Sequence, residues 1–177
     1  MKKTTGAEQA SLFQQEDEEM FFLCSSPKAM VQIAVALAPV LESGDIILLW
    51  GELGAGKTTL AQCLAHAAGI GADQYVASPS FALLHEYNGP LPVFHMDLYR
   101  LKDEEDVENA GLDDFSLYPG LILIEWPERL GVLMPRERLD IRLHVLTDQT
   151  RRLVLHPHGS SWLQKLKQID CSFIRMK

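Results

Sequence analysis

The stretch IILLWGELGAGKTTL, residues 46–60, decides the fold of this chain. It places a continuous apolar run directly before a segment that contains three glycines and a lysine. A packed core does not need this composition, because glycine costs backbone entropy and a lysine between glycine and threonine has no apolar face to bury. We therefore expect a negatively charged group to approach the backbone closely at this point.

Residues 51–58, GELGAGKT, match the phosphate-loop pattern G-x-x-x-x-G-K-[ST]. The preceding run is typical of a strand buried on both faces of a parallel sheet, and residues 57–68 have helical composition. Glycines let successive N–H groups turn toward an anion, and the helix adds its positive N-terminal end. Lys57 would reach the phosphates and the Thr58 hydroxyl would bind Mg²⁺. This setting favours a nucleotide site over a glycine-rich turn with a solvated lysine.

The composition favours one folded domain in a reducing compartment. The chain has 177 residues, a net charge of −8 and only three cysteines, which are widely spaced. Such an acidic chain is a poor candidate for wrapping nucleic acid by itself, because phosphate binding relies on lysine and arginine. Residues 1–19 are polar, lack a signal-peptide core and are predicted to be a mobile arm before a single domain at 20–177. We expect a cytoplasmic protein without a membrane segment.

Alternating strand and helix patterns predict an α/β fold. A helix is expected from Pro27 to about Glu42, and the segments YVASPSFALLHEY and LPVFHMDLYR read as two strands around a tight turn. LILIEW predicts another buried strand, and RLDIRLHVL with RRLVLH predicts a late antiparallel hairpin. His156 and His158 flank a proline, which favours an exposed turn. The predicted fold is a three-layer sandwich like that of P-loop NTPases, with a mostly parallel central sheet and an antiparallel hairpin.

Two acidic residues follow apolar runs: Asp97 ends VFHMD and Glu125 ends LILIE. Open α/β sheets hold their ligands at the carboxyl ends of strands, so either carboxylate could hold the metal through water. LILIE is the more apolar run and fits a central strand, whereas VFHMD fits an edge or hairpin strand. Ser80, in ASPSF, adds a hydroxyl that could bind Mg²⁺ when a γ-phosphate is present. Arg100 suits pairing with Asp97 as well as it suits a catalytic role.

Four segments in this order, GELGAGKTT, SPSF, HMDLYR and IEWPERL, resemble the TsaE family (also called YjeE) of small bacterial P-loop ATPases. That family takes part in making N6-threonylcarbamoyladenosine at position 37 of tRNAs that read codons beginning with A. The similarity runs from about residue 20 to the end of the late hairpin. The phosphate loop alone does not single out this family; the combination of segments does.

The resemblance implies roles for individual residues. Lys57 corresponds to the phosphate-binding lysine and Thr58 to the Mg²⁺ ligand, while Asp97 corresponds to an aspartate needed for ATPase activity. Glu125 corresponds to a second Mg²⁺-associated acid, and Ser80 stands where the family usually has threonine. Trp126, next to Glu125, is suited equally to the core and to a surface contact. The residues expected to bind the nucleotide are Gly51, Leu53, Gly54, Ala55, Gly56, Lys57, Thr58, Thr59 and Ser80.

The resemblance also implies ATP and Mg²⁺ as cofactors, and the proteins TsaD and TsaB as partners that connect this chain indirectly to tRNA. In that family ATP hydrolysis is thought to reset the complex. We expect slow hydrolysis by the isolated protein, because no complete internal arginine finger is evident and such a finger is worth about 10³–10⁵ in rate. The alternative is a small-molecule kinase, although the segment after Glu125 is too short for a lid. A GTPase is disfavoured, because no N-K-x-D run is present.

Overall fold

The computed structural model describes residues 20–169, so the predicted arm at residues 1–19 lies outside the described part of the chain. Seven strands form one sheet. The strands are β1 (Met20–Cys24), β2 (Ile46–Trp50), β3 (Leu84–Tyr87), β4 (Val93–Asp97), β5 (Leu121–Glu125), β6 (Arg138–Val145) and β7 (Arg151–His158). Their order across the sheet is β1-β7-β6-β2-β5-β4-β3.

The centre of the sheet is parallel and its edges are antiparallel. Strand β2 pairs in parallel with β5 and β6, and β5 pairs in parallel with β4. Strands β3, β7 and β1 join by antiparallel pairing. The predicted α/β class is therefore confirmed, with the hairpin formed by β6 and β7. The prediction that LILIE is a central strand is confirmed as well, because β5 lies between β2 and β4.

Helices cover both faces of this sheet. They are α1 (Pro27–Leu37), α2 (Lys57–Ala67), α3 (Glu104–Asn109) and α4 (Ser160–Leu166), with 3₁₀ turns at Ala38–Val40, Phe115–Leu117 and Pro127–Leu133. Residues of α1, α2 and α4 pack with Ile47 and Leu49 of β2 in one apolar cluster. The neighbouring Ile46 and Leu48 belong to a second cluster on the opposite face, with Val107 of α3. Among residues 20–169, no helix has the length and apolar character needed to cross a membrane.

Two predicted elements are shorter in the structure. Helix α1 was expected to reach about Glu42 but ends at Leu37, and a 3₁₀ turn containing Pro39 follows. Proline lacks the N–H that an α-helix needs at this position, which explains the early end. Of YVASPSFALLHEY only the last four residues form a strand. Leu83, immediately before β3, has a φ of 66°, a left-handed conformation that a strand does not contain.

The predicted exposed turn around His156 and His158 is wrong. Both residues lie within β7, whose register with β6 continues through Pro157 to His158. The His158 Nε2 lies 3.1 Å from the buried carboxylate of Asp140 on β6. Proline is tolerated here because β1 pairs with β7 only as far as Leu155 within the described residues. The sequence pattern around a single proline could not reveal this pairing.

Candidate phosphate-binding site

The loop between β2 and α2 has the backbone conformation of an anion cradle. Gly54 and Gly56 have φ angles of 79° and 105°, which glycine adopts without the cost that a side chain imposes. Gly56 is also the N-cap of α2 and provides no side chain to cap the helix. A Cβ at Gly56 would lie 3.1 Å from the Met30 methyl group. The first amides of α2 are thus left uncapped by a side chain and point toward the loop, as phosphate binding requires.

The Lys57 ammonium lies at the centre of this loop. It donates to the carbonyl oxygens of Gly51 at 2.7 Å and Glu52 at 3.0 Å, and lies 3.7 Å from the centre of the Trp126 ring. Burial lowers the pKa of Lys57, while the carboxylates of Glu125, Glu128 and Asp97 oppose that shift. A phosphate chain would add negative charge here and would favour the protonated amine.

The sheet brings the two predicted carboxylates together. Asp97 and Glu125 end neighbouring parallel strands and are register partners. Both are buried, and the Thr58 hydroxyl donates to Glu125 Oε2 at 3.1 Å. Thr58 is the second residue of α2, so this hydrogen bond links the start of the helix after the phosphate loop to the end of β5. The sequence left open which of the two acids is closer to the metal. In the structure, Glu125 is the acid that contacts the hydroxyl of the candidate metal ligand.

Asp97 is held by its own neighbours. The Ser78 hydroxyl donates to Asp97 Oδ2 at 2.5 Å, and the Tyr99 amide donates to Oδ1 at 3.1 Å. The sequence alternative in which Arg100 pairs with Asp97 does not match this arrangement. The guanidinium of Arg100 instead packs over the Phe81 ring, 4.0 Å from its centre. Ser78 is the first residue of the SPSF segment, but the sequence analysis assigned a role in the site only to Ser80.

His95 is a second residue that the sequence analysis did not assign to the site. Its Nε2 lies 2.9 Å from Glu125 Oε1, and its side chain is fully buried. A signal for it did exist. His95 is two residues before Asp97 in a strand, so both side chains point to the same face of the sheet.

Trp126 connects the acid of β5 to the lysine. It has φ 60° and ψ 48°, an unusual conformation for a bulky residue and more so before a proline. This conformation turns the chain sharply after Glu125 and places the indole over Lys57. The ring also contacts Tyr99, with centroids 4.8 Å apart. The sequence allowed either a core position or a surface contact for Trp126. In the structure it is half-buried, between these two possibilities.

One cleft collects most of the predicted site residues. Its lining includes Leu53, Gly54, Gly56, Lys57, Thr58, Thr59, Ser78, Ser80, Asp97, Tyr99, Arg100, Glu125 and Trp126. The predicted Gly51 contributes its carbonyl oxygen to Lys57 rather than a surface of this cleft. The predicted Ala55 does not line this cleft: it is fully buried, and its N–H donates to the Glu52 carbonyl at 3.1 Å. Hydroxyl and carboxylate oxygens with one ammonium form a donor set suited to a polyphosphate and a hard cation.

Comparison with known proteins places this arrangement in a family. The family model described as "Threonylcarbamoyl adenosine biosynthesis protein TsaE" matches residues 24–153. A Bacillus subtilis protein named "tRNA threonylcarbamoyladenosine biosynthesis protein TsaE" is 37% identical over 138 residues, which is 77% of this chain and 85% of that protein. Proteins of the same name from Treponema pallidum and Synechocystis are 38% and 40% identical, each over 66% of this chain and over 84% and 76% of their own lengths.

A solved structure shares the fold. The crystal structure of Bacillus subtilis YdiB superimposes with a TM-score of 0.71 at 30% sequence identity, covering 85% of this chain and 93% of that one. The matched family model spans the phosphate loop, both strand-end acids and most of the late hairpin. With its sequence relatives and its fold in agreement, this chain belongs to the TsaE family.

Proposed function

We propose that this protein binds ATP with Mg²⁺ and hydrolyses it slowly, as a subunit required for the threonylcarbamoyl modification of adenosine 37 in tRNA. The observation that carries the proposal is the meeting of Lys57, Thr58 and two buried strand-end carboxylates in one cleft. Family membership supplies the pathway, because the relatives are named for threonylcarbamoyladenosine biosynthesis. The residues of the cleft support the ATPase part of the proposal.

The donor set of the cleft fits magnesium. Mg²⁺ prefers oxygen ligands and is usually held by one or two carboxylates together with substrate phosphates. Thr58 and Glu125 offer adjacent oxygens, and Asp97 lies beside Glu125 across the strand pair. We assign Thr58 and Glu125 as the nearer ligands, because their oxygens already lie 3.1 Å apart, whereas the hydrogen-bond partners of Asp97 are Ser78 and Tyr99. When held by Thr58 and Glu125, the metal would offset the negative charge of the phosphates.

Other residues of the cleft are proposed to bind the phosphates, orient the water and exclude solvent. Backbone amides from Gly54 to Thr59 cradle the phosphates, and the Lys57 ammonium exchanges its carbonyl partners for phosphate oxygens. Asp97, held on both oxygens, is positioned to orient the attacking water at the open side of the cleft. Trp126 covers Lys57 and limits the access of solvent to its ammonium.

A second groove adjoins the phosphate cleft and is the place we assign to the nucleoside. It shares Gly54, Gly56 and Thr59 with the cleft and continues toward the end of β1 and the β6–β7 turn. Arg151 lines this groove, and its Nε donates to the Ala55 carbonyl at 3.4 Å. A ligand whose phosphates follow the loop would therefore extend its nucleoside over this groove.

The surroundings of the cleft support stimulation by partner proteins. Leu53 and Phe81 are 76% and 85% exposed, although both are large and apolar. Leu53 lines the cleft and Phe81 directly follows the lining residue Ser80, so apolar surface is available at the rim. TsaD and TsaB, the partners implied by the family, are the proteins we propose to bind here and to complete the site.

The test is multiple-turnover hydrolysis of ATP, with and without TsaD and TsaB, by the full chain and by Lys57→Ala. We expect slow release of ADP and phosphate by the wild-type protein, faster release with both partners, and loss of both activities in Lys57→Ala. The same proteins are then tested for threonylcarbamoyladenosine in tRNA by nucleoside mass spectrometry. Hydrolysis of ATP by Lys57→Ala at the wild-type rate would contradict the assignment of ATPase activity to this cleft. Transfer of phosphate to a metabolite instead of water would identify a kinase.

A further inference from the structure

His95 is a buried polar residue whose place in the site is not explained by phosphate or metal binding. It lies in the middle of β4, is 0% exposed, and faces the same side of the sheet as Asp97. Strands that are covered on both faces are normally filled with apolar side chains, as Val93, Phe94 and Met96 are in this strand. A histidine here must be compensated by a specific polar contact.

That contact is made by only one of its two ring nitrogens. Nε2 lies 2.9 Å from Glu125 Oε1, whereas Nδ1 is buried and has no hydrogen-bond partner among the described residues. A carboxylate only accepts hydrogen bonds, so Nε2 carries the hydrogen. A hydrogen on Nδ1 would be an unsatisfied buried donor, which is costly. The geometry therefore places a hydrogen on Nε2, the nitrogen that faces Glu125.

Because of the hydrogen bond from His95, the two oxygens of Glu125 have different partners. Oε1 is taken by His95, while Oε2 accepts from Thr58 at 3.1 Å. Without a donor on Oε1, the carboxylate could rotate and exchange its oxygens. With it, only Oε2 is presented to the hydroxyl of Thr58.

We propose that His95 is a positioning residue, which holds Glu125 so that a single oxygen, Oε2, faces Thr58 and the divalent cation. This inference rests on the proposed function, because it assumes that Thr58 and Glu125 hold the cation. A residue that hydrogen-bonds to a metal-ligating side chain orients that side chain, and its loss typically weakens metal affinity or activity about 10–100-fold. The competing explanation is that His95 only fills space in the core.

Three substitutions at His95 separate these explanations. In His95→Gln the side-chain amide nitrogen can reach the position of Nε2, whereas in His95→Asn it is closer to that of Nδ1. His95→Leu fills similar space without a donor. We expect the apparent affinity for Mg²⁺, measured by titrating the metal into protein with a non-hydrolysable ATP analogue, to fall about 10–100-fold in the Asn and Leu variants. The Gln variant should recover most of it.

His85 provides the matched control. It is the register partner of His95 on β3, and its Nδ1 contacts the Tyr87 hydroxyl at 3.2 Å instead of an acid of the site. His85→Leu should leave the Mg²⁺ response unchanged. Equal Mg²⁺ affinity in wild type and His95→Leu would overturn the proposal. Failure of the wild-type protein to bind the analogue at all would instead contradict the proposed function.

A spectroscopic measurement remains informative if the variants do not fold. Nitrogen-15 NMR of the histidine side chains in the wild-type protein reports which ring nitrogen carries hydrogen. We expect hydrogen on Nε2 of His95, and a changed Nε2 resonance in Glu125→Gln, where the carboxylate is replaced by an amide. A ring without hydrogen on Nε2, or an Nε2 resonance that does not change in Glu125→Gln, would refute the positioning role.

Discussion

At the scale of the residue, the candidate site depends on backbone conformations that few residue types adopt. Gly54, Gly56 and Trp126 all have positive φ angles within or beside the cleft. The two glycines accept this conformation at little cost, whereas Trp126 accepts it against its intrinsic preference. Strain in a bulky residue persists only when its surroundings enforce it, and here the indole contacts both Lys57 and Tyr99.

Gly56→Ala should therefore lower both stability and nucleotide affinity. The left-handed conformation costs a residue with a side chain about 1–2 kcal/mol, and the new methyl group would also press on Met30. Gly44→Ala is the control, because Gly44 has a φ of 90° but open space around it and lies away from the cleft. Urea unfolding should show destabilisation in both variants, and calorimetry should show weaker ATP binding only in Gly56→Ala. Wild-type affinity in Gly56→Ala would contradict the cradle.

At the scale of the element, single ionic contacts fix how helices and strands meet. The Lys165 ammonium of α4 contacts both oxygens of Asp45, at 2.6 and 2.8 Å, at the start of β2. Both residues are buried, while Glu42, the other acid on Lys165, has a side chain that is 70% exposed. This pair joins the end of α4, the last helix among residues 20–169, to the strand that precedes the phosphate loop. Its loss would leave a buried charge without its main partner.

Asp45→Asn is expected to destabilise the protein by about 3–5 kcal/mol, with Glu42 limiting the loss to the lower part of that range. Glu42→Gln should cost less than about 1 kcal/mol, because an exposed ion pair contributes little. Urea unfolding measures both variants. The double variant Asp45→Leu with Lys165→Met should recover much of the loss, since it removes both charges. A double variant as unstable as Asp45→Asn would show that the ion pair is not the cause.

The β6–β7 hairpin should make stability depend on pH through His158. Burial lowers the pKa of His158; Asp140 opposes this shift, and Arg138 and His156 add to it. The unfolded chain, with an ordinary histidine pKa near 6.5, then binds more protons than the folded chain below that pH. Stability should fall as the pH decreases through about 6.5, and His158→Gln should reduce that fall. Equal slopes of unfolding free energy against pH for the two proteins would contradict this.

At the scale of the whole molecule, the sheet order assembles the site. Strands β2, β5 and β4 are neighbours and parallel, so their carboxyl ends bring the phosphate loop, Glu125 and Asp97 to one edge. The same edge exposes apolar side chains at Leu53 and Phe81. A site at an edge of this kind can be covered by another protein without rearrangement of the sheet. Partner stimulation is the functional consequence that we propose.

Phe81→Ala should reduce stimulation by TsaD and TsaB. Truncating an aromatic anchor of an interface costs about 2 kcal/mol or more, so we expect at least a 10-fold higher partner concentration for half-maximal hydrolysis. Tyr75→Ala is the matched control, because Tyr75 is equally exposed at 85% but, unlike Phe81, does not adjoin a residue that lines the cleft. The readout is the ratio of stimulated to basal hydrolysis across a titration of both partners. An unchanged midpoint for Phe81→Ala would contradict docking at this rim.

The amino-acid sequence by itself determined the elements whose signals are local. The glycine spacing before Lys57, the apolar runs of β2 and β5, and the acid at the end of each strand are patterns within a few neighbouring residues. They were sufficient to predict the α/β class, the late hairpin and the cleft residues Lys57, Thr58, Asp97 and Glu125. The sequence prediction failed at two prolines: the helix was extended past Pro39, which ends it, and Pro157 was interpreted as part of a turn although it lies within a strand.

Only the tertiary structure decided which of these side chains touch. His95 reaches Glu125 across 30 residues of sequence, and Thr58 reaches it across 67. Such contacts depend on strand order and register, which a single sequence specifies only through the packing of the whole core. The phosphate loop could thus be recognised from its own residues, whereas the partners of its acids follow from the neighbours that folding brings to them.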